Sequence, residues 1–370
     1  MAGKTDRTAI NINSIARQAH VSTTTVSNLI NSTEVFPISP ETRERILRVM
    51  RELNYRPHIG GSLMRRNVPR RPKLGFVFGE ECMNPILHTA GNPLVQRFLR
   101  ELESAIEQEL DWELAILRVN DENSRSEWNE RLIDVEAVVN FGQLNCLMCD
   151  TMVRRNLPLI NVYPHTEVRR HGSFAGIPDE FDFVFWRNER QMENIFQYFY
   201  ARGARRFLFL ASCNIKENRP EGFGFDAEAK ISGFERALAA HPEATGRVLR
   251  PGKPRFYTMA CEYHLAREMM LAVRDELPKV DAVMCHHDIM AQGAALVLME
   301  TGRQVGRDVM VSGEGKFDEL RFWHPAITTT SVDSIRLNAE ICRLLKLRRT
   351  DRISPPETVE IPTIISSNGE

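Results

Sequence analysis

The sequence contains no uninterrupted apolar run close to the roughly 20 residues that a membrane-spanning helix needs. Its first residues, MAGKTDRTAININ, also lack an apolar stretch that could serve as a secretory signal peptide. Cysteine is scarce, because only seven are scattered along 370 residues. An odd, scattered set argues against a disulfide framework and for a reducing compartment. We therefore expect a cytoplasmic protein with no membrane contact.

The motifs of common α/β enzymes are also absent from the sequence. It has no nucleophile elbow, no P-loop and no GxGxxG after a predicted strand. Cys146-x-x-Cys149 has no second CxxC or histidine pair to complete a metal site. Cys285, His286 and His287 would point to alternate faces of a strand. We therefore predict no enzyme, no metal site and no cofactor, and interpret the histidines as one packed and one cleft-lining residue.

Charge is unevenly distributed, although the formal net charge of the whole chain is only −1. Residues 1–72 contain 12 Lys and Arg against 5 Asp and Glu, which leaves 36 against 44 for the remainder. The first segment therefore carries +7 and the rest −8. A small basic segment on an acidic body indicates that it binds a polyanion, although a solvated charged surface would have the same composition.

Three short helices are predicted in residues 1–57, which we call the head. Their apolar residues recur at helical spacing. The predicted caps are Asn11, Ser22 and Ser39, and Pro40 follows at a position where its missing N–H costs nothing. The predicted apolar faces consist of Ile12, Ile15, Ala16 and Ala19, then Val26, Leu29 and Ile30, then Ile46, Val49, Met50 and Leu53. The tight turn at His20 joins the first two helices into a helix-turn-helix.

The second helix lies in AHVSTTTVSNLIN, which is unusually rich in hydroxyl side chains. Such side chains compete with the helix backbone for hydrogen bonds, and capping explains only Ser22. A helix fits the major groove of DNA only if its outer residues are small or hydrogen-bond to bases and phosphates. The hydroxyl run therefore predicts a DNA-binding surface.

Strands and helices alternate from Lys73 onward, which is typical of repeated βα units in parallel sheets. The predicted strands are KLGFVFG (73–79), LAIL (114–117), AVVNFG (137–142), PLINVY (158–163), RFLFLAS (206–212), a segment near 255–258, AVMCHH (282–287) and VMVSG (309–313). The predicted helices are 93–110, 124–133, 145–156, 188–202, 226–240, 262–276 and 288–302. Parallel sheets bind ligands at the carboxyl ends of their strands. The predicted βα units are too numerous for a single sheet. We therefore predict two lobes with a cleft between them.

These segments resemble the LacI/GalR family of bacterial transcription regulators. INSIARQAHVSTTTVSNLIN and ISPETRERILRVMRELNYRP are similar to its DNA-binding head, and KISGFERAL, CHHDIMAQGAALVLMETG and HPAITTTSVD to its effector domain. The resemblance implies an α/β protein with an N-terminal all-α helix-turn-helix head. A hinge segment at 58–72 would join it to a two-lobed periplasmic-binding-protein-like effector domain at 73–370. The first lobe would comprise mainly 73–165 plus about 318–345, and the second mainly 166–317 plus the C-terminal segment.

The resemblance assigns several head residues to DNA contacts. The base-contacting positions hold Thr23, Thr24 and Asn28. The other expected DNA-binding residues, at phosphate-contacting, capping or later positions, are Ser22, Thr25, Ser27, Asn31 and Tyr55. The family usually places Arg at position 28, and Asn suits adenine whereas Arg suits guanine, so we expect an altered base preference. The family often has Gly at position 20, so we expect His20 to adopt a positive φ.

The segment HIGGSLMRRN (58–67) occupies the position of the family's hinge helix, which in relatives forms on DNA and inserts a Leu into the minor groove. By this resemblance Met64 is the apolar wedge, with Leu63 beside it, and Arg65 contacts phosphates together with Arg66, Arg70 and Arg71. Gly60 and Gly61 weaken the helix by about 1 kcal/mol each relative to Ala. The alternative is a flexible basic linker.

The expected effector contacts are Tyr163, Trp186, Lys230, His287, Asp288, Glu314 and Lys316. Asp288 follows a strand and opens a helix, where it can accept hydrogen bonds from a hydroxylated ligand. Lys230 stands where the family commonly uses Arg, and Lys cannot give the same bidentate contact. An Asp of the family pattern would fall at Gly315, so Glu314 or Lys316 must substitute. These departures argue against an ordinary neutral sugar and make an anionic ligand, such as a sugar acid, plausible. They also fit a regulator that no longer binds an effector.

The sequence therefore predicts a sequence-specific DNA-binding regulator that acts as a repressor. It would bind a palindromic operator as a homodimer and respond to a sugar or sugar-derived effector in the cleft. A nonspecific architectural DNA-binding protein is the second alternative to this prediction. A pure solute-binding protein would have a signal peptide and no basic head, so this class is disfavoured.

Overall fold

The computed structural model of the protein describes residues 10–31, 37–57, 71–78, 93–117, 125–132, 134–142, 146–163, 181–212, 225–251, 259–316 and 327–367. The head contains the three predicted helices, α1 (Ile12–Gln18), α2 (Thr23–Asn31) and α3 (Pro40–Glu52). All eleven predicted apolar positions are buried or half-buried, so the three helices share one small core.

Each head helix begins at its predicted cap. The Asn11 side chain accepts hydrogen bonds from the backbone amides of Asn13 and Ser14 at 3.0 and 3.1 Å. The Ser22 and Ser39 hydroxyls accept equivalent bonds from the amides three residues later, at 3.0 and 3.2 Å. These bonds satisfy amides that have no partner inside their own helix.

The turn between α1 and α2 passes through His20, whose φ is +54°. This confirms the conformation expected where a His replaces a Gly. Histidine is among the residues that tolerate the left-handed region, so the strain is modest. The turn leaves α2 with its hydroxyl-rich side away from the head core.

The described residues of the body form two six-stranded sheets. The strands are β1 (Lys73–Phe78), β2 (Glu113–Leu117), β3 (Val135–Phe141), β4 (Leu159–Tyr163), β5 (Asp182–Phe185), β6 (Arg206–Leu210), β7 (Thr245–Leu249), β8 (Ala282–Cys285), β9 (Met310–Glu314), β10 (Thr328–Val332), β11 (Thr358–Glu360) and β12 (Thr363–Ser367). The first sheet has the order β11-β5-β4-β3-β1-β2 and the second the order β12-β10-β9-β8-β6-β7. All pairs are parallel except β10 with β12.

Helices separate most of these strands. They are α4 (Pro93–Leu110), α5 (Arg125–Arg131), α6 (Cys146–Arg155), α7 (Asn188–Tyr200), α8 (Phe225–Ala239), α9 (Met259–Ala272), α10 (Asp288–Glu300) and α11 (Ser334–Thr350), with a 3-10 helix at Arg274–Lys279. The apolar faces of α4 and α11 pack with the first sheet, and those of α9 and α10 with the second. Within the described ranges, no helix is long and apolar enough to cross a bilayer.

The lobe boundary predicted near residue 165 needs correction by one strand. β5 pairs with β4 in the first sheet, although its residues fall in the range predicted for the second lobe. Likewise β10 pairs with β9 in the second sheet, although its residues fall in a range predicted for the first lobe. The chain crosses between the lobes after β5, after β10 and between β11 and β12.

Several strand predictions also differ from the structure, and β10, β11, β12 and the helix α11 were not predicted from the sequence. The strand predicted near 255–258 lies outside the described residues, and β7 is found at Thr245–Leu249 instead. β7 pairs only with β6, at the sheet edge, so it has no continuous apolar run to reveal it. β5 was not predicted because Asp182 interrupts its aromatic residues. The Asp182 carboxylate is held by the Arg348 guanidinium at 2.7 and 2.8 Å.

Candidate functional site

The outer side of α2 presents the hydroxyl-rich surface to solvent. Thr23 and Thr24 are exposed and Asn28 is half-exposed, whereas Val26 and Leu29 are buried in the head core. The surface therefore depends on the spacing of two apolar residues, which fixes the rotation of the helix about its own axis.

Four polar side chains of this segment form two hydrogen-bonded pairs. The Ser22 and Thr25 hydroxyls lie 2.8 Å apart, and the Asn31 amide donates to the Ser27 hydroxyl at 3.3 Å. These hydrogen bonds occupy polar groups of residues that were expected to contact phosphates or to cap the helix. The remaining candidates, Thr23, Thr24 and Asn28, make no side-chain hydrogen bond to another described residue. Their donors and acceptors face solvent, where a nucleic acid could bind them.

The other candidate DNA contacts are Tyr55 and three residues of the hinge segment. Tyr55 follows α3, is half-buried beside the head core, and burial raises the pKa of its hydroxyl. Its backbone carbonyl accepts a hydrogen bond from Asn156 of the body at 3.2 Å. Leu63, Met64 and Arg65 lie outside the described residues. The hinge prediction therefore remains a prediction.

A second polar cluster lies at the carboxyl edge of the second sheet. Its centre is Lys230 of α8, which is only 2% exposed. The Lys230 ammonium forms an ion pair with Glu314, the last residue of β9, and donates to the carbonyl of His286 at 3.3 Å. Lys230 and Glu314, both expected effector contacts, are thus brought together by the fold, but they bind each other.

Glu262 of α9 joins this cluster, although the sequence did not single it out. It is 3% exposed, and one carboxylate oxygen accepts from the Ser212 hydroxyl at 2.7 Å. The other oxygen has no hydrogen-bond partner among the described residues. Burial raises the pKa of Glu262, and the Ser212 bond and the nearby His286 and Lys230 oppose that rise. No sequence signal distinguishes this glutamate, because its neighbours come from distant parts of the chain.

Asp288 is fully buried at the start of α10. Its two carboxylate oxygens lie 2.8 and 3.0 Å from the Thr329 hydroxyl of β10. The fit is close, because a Cβ added at Gly313 would lie 2.5 Å from one carboxylate oxygen. Asp288 therefore joins α10 to β9 and β10 rather than facing an open cleft.

Two further candidates border this cluster. His287 is half-exposed and directly precedes α10, whereas His286 is fully buried. His286 is therefore the packed histidine, and the expectation that His287 lines the cleft stays a prediction. Lys316 has a φ of +51°, and its carbonyl accepts a hydrogen bond from Arg97 of the first lobe at 2.5 Å. Lys316 thus connects the two lobes through its backbone.

The two expected effector contacts in the first lobe are Trp186 and Tyr163. Trp186 is 4% exposed and packs against Phe141, with ring centroids 6.4 Å apart. It belongs to the apolar core of the first lobe, so its ring does not offer an open stacking surface. Tyr163 is the last residue of β4, and the placement of its side chain lies outside what the structure describes.

The charge of the second cluster is unbalanced. Among the described residues it contains the carboxylates of Glu262 and Glu314 against the one ammonium of Lys230, and the neighbouring Asp288 carboxylate is already bonded to Thr329. Oxygens of this kind accept hydrogen bonds from hydroxyl or amine donors, and they repel a further anion.

Two sequence families match the chain. Residues 11–58 match the lacI family of bacterial regulatory proteins, and residues 196–366 match a periplasmic binding protein-like domain. The chain is 23% identical over 354 residues to the HTH-type transcriptional repressor PurR of Histophilus somni, with 95% of each chain covered. It is 25% identical over 370 residues to the PurR of Erwinia tasmaniensis, covering 96% of this chain and 95% of the relative.

Solved structures share the fold at low sequence identity. A complex of the transcriptional regulator CelR with cellobiose superposes with a TM-score of 0.56 at 19% identity, covering 96% of this chain and 98% of the other. A lac repressor dimer bound to operator and the anti-inducer ONPF gives 0.55 at 17% identity, covering 97% and 98%. The fold is thus matched over nearly the whole chain.

Proposed function

We propose that the chain, whose head matches the lacI family of bacterial regulatory proteins, is a transcriptional repressor of this family that binds a palindromic operator as a homodimer. The observation that carries the proposal is the outer side of α2. There Thr23, Thr24 and Asn28 present hydrogen-bonding groups that no described residue uses. The PurR relatives carry the name of repressors, which supports the same direction of regulation.

Asn28 is the residue through which we propose that this repressor differs in base preference. A side-chain amide can accept a hydrogen bond from adenine N6 and donate one to adenine N7 at once, and such a bidentate contact discriminates by about 1–3 kcal/mol. Thr23 and Thr24 can contact several bases or phosphates. The preferred operator should therefore contain an adenine at one symmetric position in each half-site.

Selection from random DNA followed by binding assays tests this proposal. We expect a palindromic sequence that is bound at least about 1,000-fold more tightly than random DNA at physiological salt. Light scattering should give the mass of a dimer. Equal affinity for all sequences would contradict the proposal and favour an architectural DNA-binding protein.

We further propose that the cleft beside Lys230 and Glu314 takes a sugar. A structural relative was solved with cellobiose, and the excess of carboxylates suits ligands rich in hydroxyl or amine donors. The same excess disfavours sugar acids and phosphosugars, because these bring a further negative charge. The ligand would have to compete with the internal ion pair of Lys230.

The alternative is a repressor without an effector, and a specific observation favours it. Lys230 and Asp288 are both buried and bonded within the chain, the former to Glu314 and the latter to Thr329. Thermal-shift assays with neutral sugars, amino sugars, sugar acids and phosphosugars separate the two cases. Stabilisation by a neutral or amino sugar supports the effector proposal, because binding to the folded state raises stability. No stabilisation by any compound of a broad panel would support the repressor without effector.

A further inference from the structure

The head is bound to the first lobe by side chains at the end of α6. We propose that Arg154 and Asn156 are positioning residues, which hold the carboxyl ends of two head helices and so fix the direction in which the DNA-binding surface faces. This inference goes beyond the proposed function. It concerns contacts within one chain and can fail without affecting the evidence for DNA binding.

Arg154 binds the end of α2. Its guanidinium donates to the carbonyl of Leu29 at 2.7 Å, and only 8% of the residue is exposed. The last carbonyls of a helix have no partner inside the helix, and they carry its negative dipole end. A buried arginine is therefore well suited to bind there. Asp150, 2.7 Å away, orients the guanidinium.

Asn156 binds the end of α3. Its side-chain amide donates to the carbonyls of Met50 and Tyr55, both at 3.2 Å. Asn156 itself adopts a φ of +50°, which the end of α6 requires and which asparagine tolerates better than most residues. One residue thus ends a body helix and caps a head helix.

Ion pairs surround these two contacts. Arg43 of α3 donates to Asp150 at 2.8 Å, and Arg56 forms an ion pair with Glu136 of β3. Apolar side chains continue across the same boundary, because one buried cluster includes Leu29 of the head as well as residues of the first lobe. The head is therefore held by capping bonds, charges and apolar packing together.

The attachment leaves the DNA-binding surface open. Arg154 contacts the carboxyl end of α2, whereas Thr23 and Thr24 lie at its exposed beginning. The Asn156 carbonyl also accepts a hydrogen bond from Arg352, which lies between α11 and β11 in the first lobe. Asn156 thus connects the head to a second segment of the first lobe. A head held in this way is oriented before it meets DNA, which removes an ordering cost from binding.

Two substitutions test the attachment in the full-length protein. Asn156→Gly removes the side-chain amide but keeps the positive φ and the carbonyl that Arg352 binds. Arg154→Ala removes the bond to α2. The matched control is Arg155→Ala, because Arg155 is equally buried on the same helix but its side chain bonds to Asn129 of the body.

The measurement is the line width of head amide signals in the ¹⁵N spectrum of the DNA-free protein. We expect broad signals in the wild type and in Arg155→Ala, because the head rotates with the whole particle. Narrow head signals are expected in Asn156→Gly and Arg154→Ala, and their affinity for the selected operator should fall by about fivefold or more as orientation is lost. Narrow head signals in the wild type, or unchanged signals in both variants, would overturn the inference. Circular dichroism and the body signals identify any variant that has unfolded. If Arg154→Ala unfolds, the result for Asn156→Gly decides the test.

Discussion

Lys230 gives the most informative single substitution, because the two candidate functions assign it different roles. In Lys230→Met the ammonium is lost while the volume of the side chain is nearly kept. Glu314 would lose its ion-pair partner, and Glu262 would lose the positive charge that opposes its burial. A carboxylate left buried without its partner is strongly destabilising.

The expected loss can be estimated from burial. Breaking a buried ion pair costs about 3–5 kcal/mol, and because the Glu314 side chain is 15% exposed, we expect a value near 3 kcal/mol. Glu314→Gln in the same chain should recover part of this loss, so that the double-mutant cycle gives a coupling energy of about 1–3 kcal/mol. Urea unfolding at pH 7 measures each free energy.

A surface lysine provides the control. Lys346 forms a 2.7 Å ion pair with Glu109, but half of its side chain is exposed, so Lys346→Met should change stability far less. If Lys230→Met were no more destabilising than Lys346→Met, Lys230 would not be held by Glu314, and the argument for a repressor without effector would fail. A sugar that stabilises the wild type but not Lys230→Met would then identify Lys230 as a ligand contact.

Three further substitutions test contacts of the head and of the second polar cluster. Asn28→Arg should shift the preferred base from adenine to guanine at one position of each half-site, measured by repeating the DNA selection, and an unchanged sequence would mean that α2 is wrongly oriented in our proposal. Thr329→Val should destabilise by about 1.5–3 kcal/mol in urea unfolding, because it removes the hydroxyl that donates to the buried carboxylate of Asp288; stability equal to wild type would contradict a structural role of this bond. Burial raises the pKa of Glu262 above its value in the unfolded chain, so its contribution to the free energy of unfolding should fall as pH rises through the interval between those two values. Glu262→Gln should remove that decline, and parallel pH profiles of wild type and variant would show that the group is not perturbed.

The head could be predicted almost residue by residue because its determinants are local. Asn11, Ser22 and Ser39 cap helices through bonds to amides no more than three residues away. The positive φ of His20 follows from a turn between two adjacent helices. Propensity, capping and periodicity all act within one or two turns of the chain, so a sequence pattern contains them.

Most of the body strands that could be predicted are buried on both faces, although the apolar run of the edge strand β2 was also recognised. β7 lies at an edge and β5 contains a charged residue, and both were missed. The polar cluster shows the same limit, because Thr329 lies 41 residues from Asp288 and Ser212 lies 50 residues from Glu262. Residue identity predicted Lys230 and Asp288 as functional, but their burial and partners depend on distant segments that only the fold brings together.

The structure also indicates how the binding energy for DNA is divided between base contacts and phosphate contacts. Of the polar side chains in and before α2, Ser22 is bonded to Thr25 and Ser27 to Asn31, which leaves three side chains to contact bases. Only Asn28 among them can form a bidentate bond, so direct base contacts supply a small part of the binding energy of each half-site. The remainder must come from phosphate contacts, which suits the charge of +7 in residues 1–72. Phosphate contacts carry no sequence information, but they require correct placement of both heads. An orientation fixed by Arg154 and Asn156 therefore matters more here than in a repressor whose recognition helix makes many base contacts.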